Sequence, residues 1–404
     1  LKPEKRKQLW DLSYIIVATP QTILKDIENN RIDLKEVSLL VLDECHKSRD
    51  KYATTLLATN LMKISKSPRI LALTASPGFS REKIEQICKN LFIEKIEIRT
   101  EEDEDIKEFV QEKDIRWLEV DLPEEFKSLH SKIKAVFTER LQSLRSFGIT
   151  KPLNIINKRD LLILQARLRN EIPGNKAAFW GISLTAQLIK LDYALELIET
   201  QSLQALKKFL NKLKEEETKA AKNILKDKNI QEAIISVEGL IKKDIKHPKL
   251  YLLKGLIKKE LSQNLKNRII VFVNYRDTIE EILEFLNKEQ EIKATKLIGQ
   301  KLGLTQKEQV NVIKEFESGI YNVLCTTSIG EEGIHVEAET AVFYDVVPSE
   351  IRTIQRRGRV GRIKTGKILF LVTNNTREQG YRWSAYHKEK KMKKTLKDLQ
   401  QQTL

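Results

Sequence analysis

Leu39-Leu-Val-Leu-Asp-Glu-Cys-His46 is a short apolar run followed at once by two carboxylates, a thiol and an imidazole. An uninterrupted apolar run of this length reads as a strand buried on both faces, the form strands take in parallel sheets covered by helices. Ligands of such sheets bind outside the carboxyl ends of the strands, where Asp43 and Glu44 fall. Tyr14-Ile-Ile-Val-Ala18 and Arg69-Ile-Leu-Ala-Leu-Thr74 repeat the pattern on either side. It returns at 269–273, 322–326, 341–344 and 368–372, with a helical stretch at 277–287. The alternation predicts an α/β fold with two parallel-sheet domains.

Between them the period changes. Leu184, Leu188, Leu191, Leu195 and Ile198 recur at helical spacing, as do Leu203, Leu206, Leu210 and Leu213, and they are expected to form a helical core. Breaks are expected near Lys151-Pro152, Pro173-Gly174 and His247-Pro248. The expected division is a first lobe at 1–122, an all-helical insertion at 123–262, a second lobe at 263–384 and a basic tail at 385–404.

The 404 residues carry 72 Lys and Arg against 57 Asp and Glu, a net charge of +15. The net is −2 over 1–122, +11 over 123–262 and +6 over 263–404, so most of the excess sits in the helical segment. A basic chain points to a polyanion, with nucleic acid first and anionic membrane second. With 41% hydrophobic and 32% charged residues the chain is not wholly disordered. No apolar stretch reaches the roughly 18–20 residues of a membrane span, and no membrane partner is expected. Cys45, Cys88 and Cys325 are odd in number and lack metal-ligand spacing, which suits a reducing compartment without disulfides. The acidic run 101–105 reads as a solvated loop.

Asp43 is placed to hold Mg²⁺ through water, and Glu44 to orient and deprotonate a water attacking a γ-phosphate; both are metal candidates. Read alone, the tetrapeptide fits a capped helix start equally well, and His46 a structural histidine. Thr74-Ala-Ser-Pro-Gly78 puts the hydroxyls of Thr74 and Ser76 at a neighbouring strand end, where they would couple a phosphate site to motion or simply form a turn. Gln355-Arg-Arg-Gly-Arg-Val-Gly-Arg362 interleaves four arginines with two glycines. That composition suits a triphosphate clamp, because the guanidinium fork meets phosphate oxygens two at a time.

Taken in order, Thr19-Pro20-Gln21, Asp43-Glu-Cys-His46, Thr74-Ala-Ser76, Thr327-Ser328-Ile-Gly330-Glu-Glu-Gly333 and Gln355–Arg362 resemble the motif series of superfamily 2 helicases. The resemblance implies two RecA-like lobes with ATP and Mg²⁺ as cofactors. It implies arginine fingers at Arg359 and Arg362, and a Gln355 that touches both the nucleotide and His46. Thr19, Pro20, Thr74, Ser76, Thr327 and Ser328 would meet the nucleic-acid backbone, with Gly330 and Gly333 on the relay to ATP. Thr74-Ala-Ser-Pro-Gly78, Val347-Pro-Ser-Glu-Ile-Arg352 and Leu195-Glu-Leu-Ile-Glu-Thr-Gln201 further resemble the Hef and Fanconi anaemia M branch.

That branch implies an ATP-dependent helicase or translocase acting on forked, branched or single-stranded DNA in replication-fork repair, in an archaeal cytoplasm, with the basic helical insertion at 123–262 gripping branched DNA. It also implies a C-terminal nuclease domain in some members and sliding-clamp-type repair partners. The Asp-Glu-Cys-His spelling is commoner in RIG-I-like relatives, so a double-stranded RNA helicase or sensor is the alternative, and a non-catalytic nucleic-acid-binding remnant the third. Three departures stand out. The phosphate-binding loop G-x-x-x-x-G-K-[ST] does not occur; Thr365-Gly-Lys367, its nearest likeness, is read as a loop. Only 18 residues precede Thr19, so the chain is expected to be truncated and by itself to hydrolyse ATP poorly. His335 stands where the branch has Asp, and no E-R-K-x-x-x-D nuclease motif is present.

Overall fold

The computed structural model describes residues 2–50, 52–99, 103–107, 113–172, 174–175, 177–299, 303–327, 336–346 and 366–400. They fall into two compact units, one of residues up to 107 with 383–400, the other of 113–346 with 366–382.

In the first unit the chain runs through α1 (Pro3–Leu12), α2 (Pro20–Glu28), β1 (Leu39–Leu42), a 3-10 turn (Cys45–Lys47), α3 (Ala53–Ile64), β2 (Arg69–Ala72), α4 (Arg81–Asn90) and α5 (Glu104–Lys107). β1 and β2 pair in parallel, Leu39 opposite Arg69 and Leu42 opposite Ala72. One face packs: Leu42, Cys45, Ala58, Ile87 and Leu91 form its core, with Leu40, Ile70 and Ala72 against them. The other does not, and Leu39, Val41, Leu71 and Leu73 are 45–53% exposed. The expectation of strands covered on both faces fails here, because among the described residues α3 and α4 supply apolar cover on one side alone. Residues 14–18, expected as a strand, form none, and Tyr14, Ile15 and Val17 are exposed. Asp26 is buried and receives Arg6 at 2.7 and 2.8 Å, Trp10 Nε1 at 3.0 Å and Arg31 at 3.2 Å. These donors, Arg6 foremost, outweigh the cost of burial and hold its carboxyl down at about 2.

The second unit contains a helical bundle and a six-stranded sheet. The bundle comprises α6 (Glu124–Ser143), α7 (Lys158–Glu171), α8 (Ala177–Thr200), α9 (Leu203–Glu215), α10 (Lys219–Leu225) and α11 (Lys228–Lys242). Its starts follow from capping chemistry: Asn157 and Asp160 close a capping box, and Ser202, Thr218 and Asp227 accept backbone N–H groups at the heads of α9, α10 and α11. The expected leucines of α8 and α9 all enter one core with Phe126, Ile133, Leu164 and Val237.

Next come α12 (Pro248–Gln263), β4 (Ile269–Phe272), α13 (Arg276–Leu286), β5 (Ala294–Leu297), α14 (Gln306–Glu317), β6 (Val323–Thr326), β7 (Thr340–Phe343), β8 (Gly366–Thr373) and α15 (Arg377–Gln400). The sheet, all parallel, has the order β3-β8-β7-β4-β6-β5, with β3 at Lys113–Val120. Alternate residues serve opposite cores: Ile269, Val271 and Val273 face α12 and α13, whereas Ile270 and Phe272 face Phe316 of α14. Two covered faces explain why these strands read as continuous apolar runs. Trp117, Phe370, Phe343 and Phe272 occupy matching register positions on β3, β8, β7 and β4, with successive ring centroids 4.1, 4.3 and 5.2 Å apart.

Four features depart from expectation. β3 lies inside 1–122 yet pairs along its whole length with β8 of the second sheet. α12 falls within 123–262 but for its last residue, yet its Leu250, Leu253, Ile257 and Leu261 pack on that same sheet. Gly366 and Lys367, read as a loop, begin β8, and Lys367 Nζ meets both oxygens of Glu260 at 3.0 and 2.9 Å. The tail continues α15, with Ala385, Met392 and Leu399 buried.

Candidate functional site

The Asp-Glu-Cys-His segment turns sharply off the end of β1. Asp43 is exposed, and its Oδ1 accepts the Glu44 N–H at 2.8 Å. Glu44 sits in the left-handed region at φ 51°, and the chain then closes the 3-10 turn over Cys45, His46 and Lys47. A positive φ at a glutamate carries strain and persists only where its surroundings fix it. Here Leu73 N–H donates to Leu42 O at 2.8 Å and Cys45 N–H donates to Leu73 O at 2.9 Å, stitching the two strand ends together. The Cys45 thiol is buried, which pushes it up to about 11 and leaves it a packing residue rather than a nucleophile.

That turn brings four expected residues together. His46 Nδ1 shares a 3.1 Å hydrogen bond with Thr74 Oγ1 and lies 3.2 Å from Glu44 Oε2. Thr74 Oγ1 also accepts the Ser76 N–H at 3.1 Å, and Ser76 Oγ donates to Met392 Sδ of α15 at 3.3 Å. Glu44 Oε2 is buried and, despite its nearness to His46, makes no aligned hydrogen bond among the described residues. A buried carboxylate oxygen with no aligned hydrogen bond among the described residues, beside an exposed Asp43, has an acceptor position open to a water.

Of the remaining expected residues, Thr19, Pro20 and Thr327 are among the described ones. Thr19 heads α2 and Pro20 fills its first turn; the Thr19 hydroxyl shares a 2.8 Å hydrogen bond with Thr22 rather than capping the helix. Thr327 follows β6, and its carbonyl accepts from Thr326 Oγ1 at 3.2 Å. Ser328, Gly330, Gly333, His335, Gln355, Arg359 and Arg362 are outside the described residues. No three His, Cys, Asp or Glu side chains gather into a metal-binding cluster among the described residues.

A second polar cluster was not expected as a site. It lies where the C-terminal half of α8 meets the carboxyl ends of β4 and β7. Gln201 Nε2 donates to Asp345 Oδ1 at 2.6 Å, Gln201 Oε1 accepts from Thr278 Oγ1 at 2.7 Å, and Asp345 Oδ2 accepts the Asn274 N–H at 2.6 Å. Tyr275 donates its hydroxyl to Glu196 at 2.7 Å. Arg377 Nε donates to Glu199 at 2.7 Å and reaches Asp192, while His130 holds the other Glu199 oxygen at 2.9 Å. Burial works against the Glu199 carboxylate, but His130 and Arg377 outweigh it and keep the group below its ordinary range. Beside them Lys249 Nζ, fully buried, donates to Glu378 at 2.5 Å and to Tyr344 O at 2.9 Å. These contacts tie the bundle to the second sheet as one body. Their signal was partly legible: Glu196, Glu199 and Thr200 fall at i, i+3 and i+4 on one helix, within the same Leu195–Gln201 stretch that carries the family likeness.

A carboxylate pair on a strand-end turn, a neighbouring hydroxyl segment and a second parallel sheet define a superfamily 2 helicase core, and the comparisons agree. Residues 2–84 match the "DEAD/DEAH box helicase" family model, 125–244 the "Putative ATP-dependent RNA helicase, helical bundle" model, and 249–364 the "Helicase conserved C-terminal domain" model. The crystal structure of the Pyrococcus furiosus Hef helicase domain superposes with a TM-score of 0.72 at 38% identity, over 95% of this chain and 81% of that one. The chain belongs to the Hef family of superfamily 2 helicases. It is 38% identical, over 99% of its length and 51% of the relative's, to the "Putative ATP-dependent RNA helicase" of Methanocaldococcus jannaschii. It is 35% identical to the "ATP-dependent DNA helicase mph1" of Neurospora crassa and 32% to the "ATP-dependent DNA helicase fml1" of Schizosaccharomyces pombe, covering 94% and 97% of this chain but 34% and 49% of theirs. The chain thus spans about half or less of the length of these curated relatives. Among the described residues, no helix is long and apolar enough to cross a membrane.

Proposed function

We propose that the protein is an ATP-driven DNA helicase or translocase acting on forked or branched DNA. The observation that carries this reading is the Glu44 turn: a buried carboxylate oxygen at a parallel strand end, 3.2 Å from His46 Nδ1 but without an aligned hydrogen bond among the described residues, beside a His46–Thr74–Ser76 hydrogen-bond chain. Glu44 orients the attacking water and takes its proton. Asp43, a single exposed carboxylate, fits a Mg²⁺ ion, which keeps several waters and leans on one or two carboxylates plus phosphate oxygens; the ion's contribution is to neutralise phosphate charge. The His46–Thr74–Ser76 chain carries the state of the nucleotide site toward the DNA. Gln355, Arg359 and Arg362 complete the triphosphate site, and Thr19 and Thr327 hold the strand. The DNA relatives named above, mph1 and fml1, support DNA as substrate.

The test is Glu44→Gln in the full-length protein. ATP hydrolysis is expected to fall at least about 100-fold, the scale of a lost general base, with forked-DNA affinity unchanged within about twofold. Unchanged hydrolysis overturns the assignment. The names of the bundle family and of the Methanocaldococcus relative favour RNA instead. Competition between forked DNA and double-stranded RNA for the same protein decides between them, and binding to the true substrate weakens as salt rises.

A further inference from the structure

We propose that Met392 is a positioning residue for the coupling of ATP hydrolysis to DNA movement, its thioether holding the Ser76 hydroxyl in place. This deepens the function proposed above and rests on it. Ser76 Oγ donates to Met392 Sδ at 3.3 Å, across 316 residues of chain and within the first unit. The same serine donates its N–H to Thr74 Oγ1 at 3.1 Å, and Thr74 Oγ1 shares a 3.1 Å hydrogen bond with His46 Nδ1. Ser76 is therefore held twice, by its N–H toward the His46 turn and by its hydroxyl toward α15. Ser76 is 1% exposed and Met392 4%, so water does not replace a lost partner. A buried hydroxyl needs an acceptor. Of the aliphatic core side chains Leu, Ile, Val and Met, only Met offers one. The thioether is a weak acceptor, so the contact orients the hydroxyl without a large cost to its release.

The pattern of α15 seats Met392 there. Ala385, Met392 and Leu399 are buried at seven-residue spacing, while Tyr386, Lys390, Lys394 and Lys397 are exposed, the stripe of a helix packed along one side. Lys388 and Lys391 each place Nζ 5.7 Å from the centroid of the Phe79 ring, within the range of cation–π attraction. Between Ser76 and Phe79 the chain bends at Gly78, where φ is 100°, a conformation that favours glycine. The Thr74–Phe79 segment and α15 thus meet at a buried point, Ser76 on Met392, and again at Phe79. Packing alone does not ask for the first of these. Apolar groups of the same shape in place of both partners fill such a contact with no polar atom to satisfy. The polar pair lies instead on the segment through which the state of the nucleotide site is read.

The experiment uses the full-length protein and a labelled DNA fork, and measures base pairs separated per ATP hydrolysed. Met392→Leu keeps the volume and removes the acceptor. It is expected to lower this yield about 3–10-fold, the worth of one hydrogen bond, with ATP hydrolysis at saturating fork unchanged within about twofold. Met392→Gln restores an acceptor at similar reach and is expected to keep most of the yield. In a Ser76→Ala background the donor is gone, and Met392→Leu has no further effect on the yield. A role in packing alone predicts the reverse order, with Leu tolerated and Gln, which buries an amide, the worse. An unchanged yield in Met392→Leu, a folded Gln variant that falls below the Leu variant, or a full Met392→Leu effect in the Ser76→Ala background overturns the assignment. Should Met392→Gln fail to fold, as its urea midpoint shows, the Ser76–Met392 cycle decides alone. If Glu44→Gln stops hydrolysis while Met392→Leu leaves the yield unchanged, this inference falls and the proposed function stands. If Glu44→Gln leaves hydrolysis unchanged, the proposed function falls on that result alone.

Discussion

Gln201→Ala tests whether the bundle and the second sheet form one body. The Gln201 amide makes three side-chain bonds, to Asp345 at 2.6 Å, Thr278 at 2.7 Å and Thr200 at 2.8 Å. Gln201, Thr278 and Asp345 are each 1% exposed, so water does not reach them. A buried polar group left short of a partner costs about 1–3 kcal/mol, more when it is charged. The three losses are coupled and do not add fully, which puts the total at roughly 3–5 kcal/mol. At about 2–4 °C per kcal/mol for a unit of this size, the second unit melts on the order of 6–20 °C lower. Thermal and urea unfolding followed by circular dichroism measure this. Gln201→Glu is expected to destabilise at least as much at neutral pH, because it sets a carboxylate against Asp345, and to recover on acidification. A loss below about 1 kcal/mol for Gln201→Ala refutes the view that this junction couples the two elements.

Lys249→Met leaves the buried Glu378 carboxylate without its cation and is expected to cost about 3–5 kcal/mol in urea unfolding, with Glu378→Gln on top of it restoring part of the loss. His247 caps α12, accepting Lys249 N–H at 3.3 Å, and burial pulls its imidazole down to about 3. The unfolded chain therefore takes a proton from about pH 6.5 downward that the folded one refuses, so urea midpoints fall as pH drops through that window. His247→Asn, which keeps a capping side chain, flattens the slope. Asp26 behaves in the same sense at a lower pH: its depressed carboxyl stabilises the first unit above about pH 4 and that contribution is lost as pH falls toward about 2, and Arg6→Ala moves that loss to higher pH when unfolding is followed against pH.

Much of the second sheet was legible. Its central strands β4, β6, β7 and β8 are buried on both faces and so read as apolar runs. The two strands missed, β3 and β5, are its edges. Lys113-Asp-Ile-Arg-Trp-Leu-Glu-Val and Ala294-Thr-Lys-Leu carry the polar residues an edge tolerates, and no apolar run survives to mark them. The first unit erred the other way: an apolar run at residues 14–18 forms no strand, and the β1–β2 pair is covered on one face. Periodicity found α12 as a helix but could not say which core it joins, since a leucine stripe is the same whether it faces helices or a sheet.

For the site, the residue types and their order were enough to name Asp43, Glu44, His46, Thr74 and Ser76. Their meeting depends on a left-handed Glu44 and on the β1–β2 stitching, neither of which leaves a mark in the sequence. The sequence by itself determined the period of each segment, the caps that start the bundle helices and the uneven charge, because each is a property of neighbours along the chain. The tertiary structure alone decided that β3 crosses to the second sheet, that Gln201 latches Asp345 across 144 residues, and that Met392 meets Ser76 across 316. Those outcomes depend on which surfaces are left to bury once every local preference has been met.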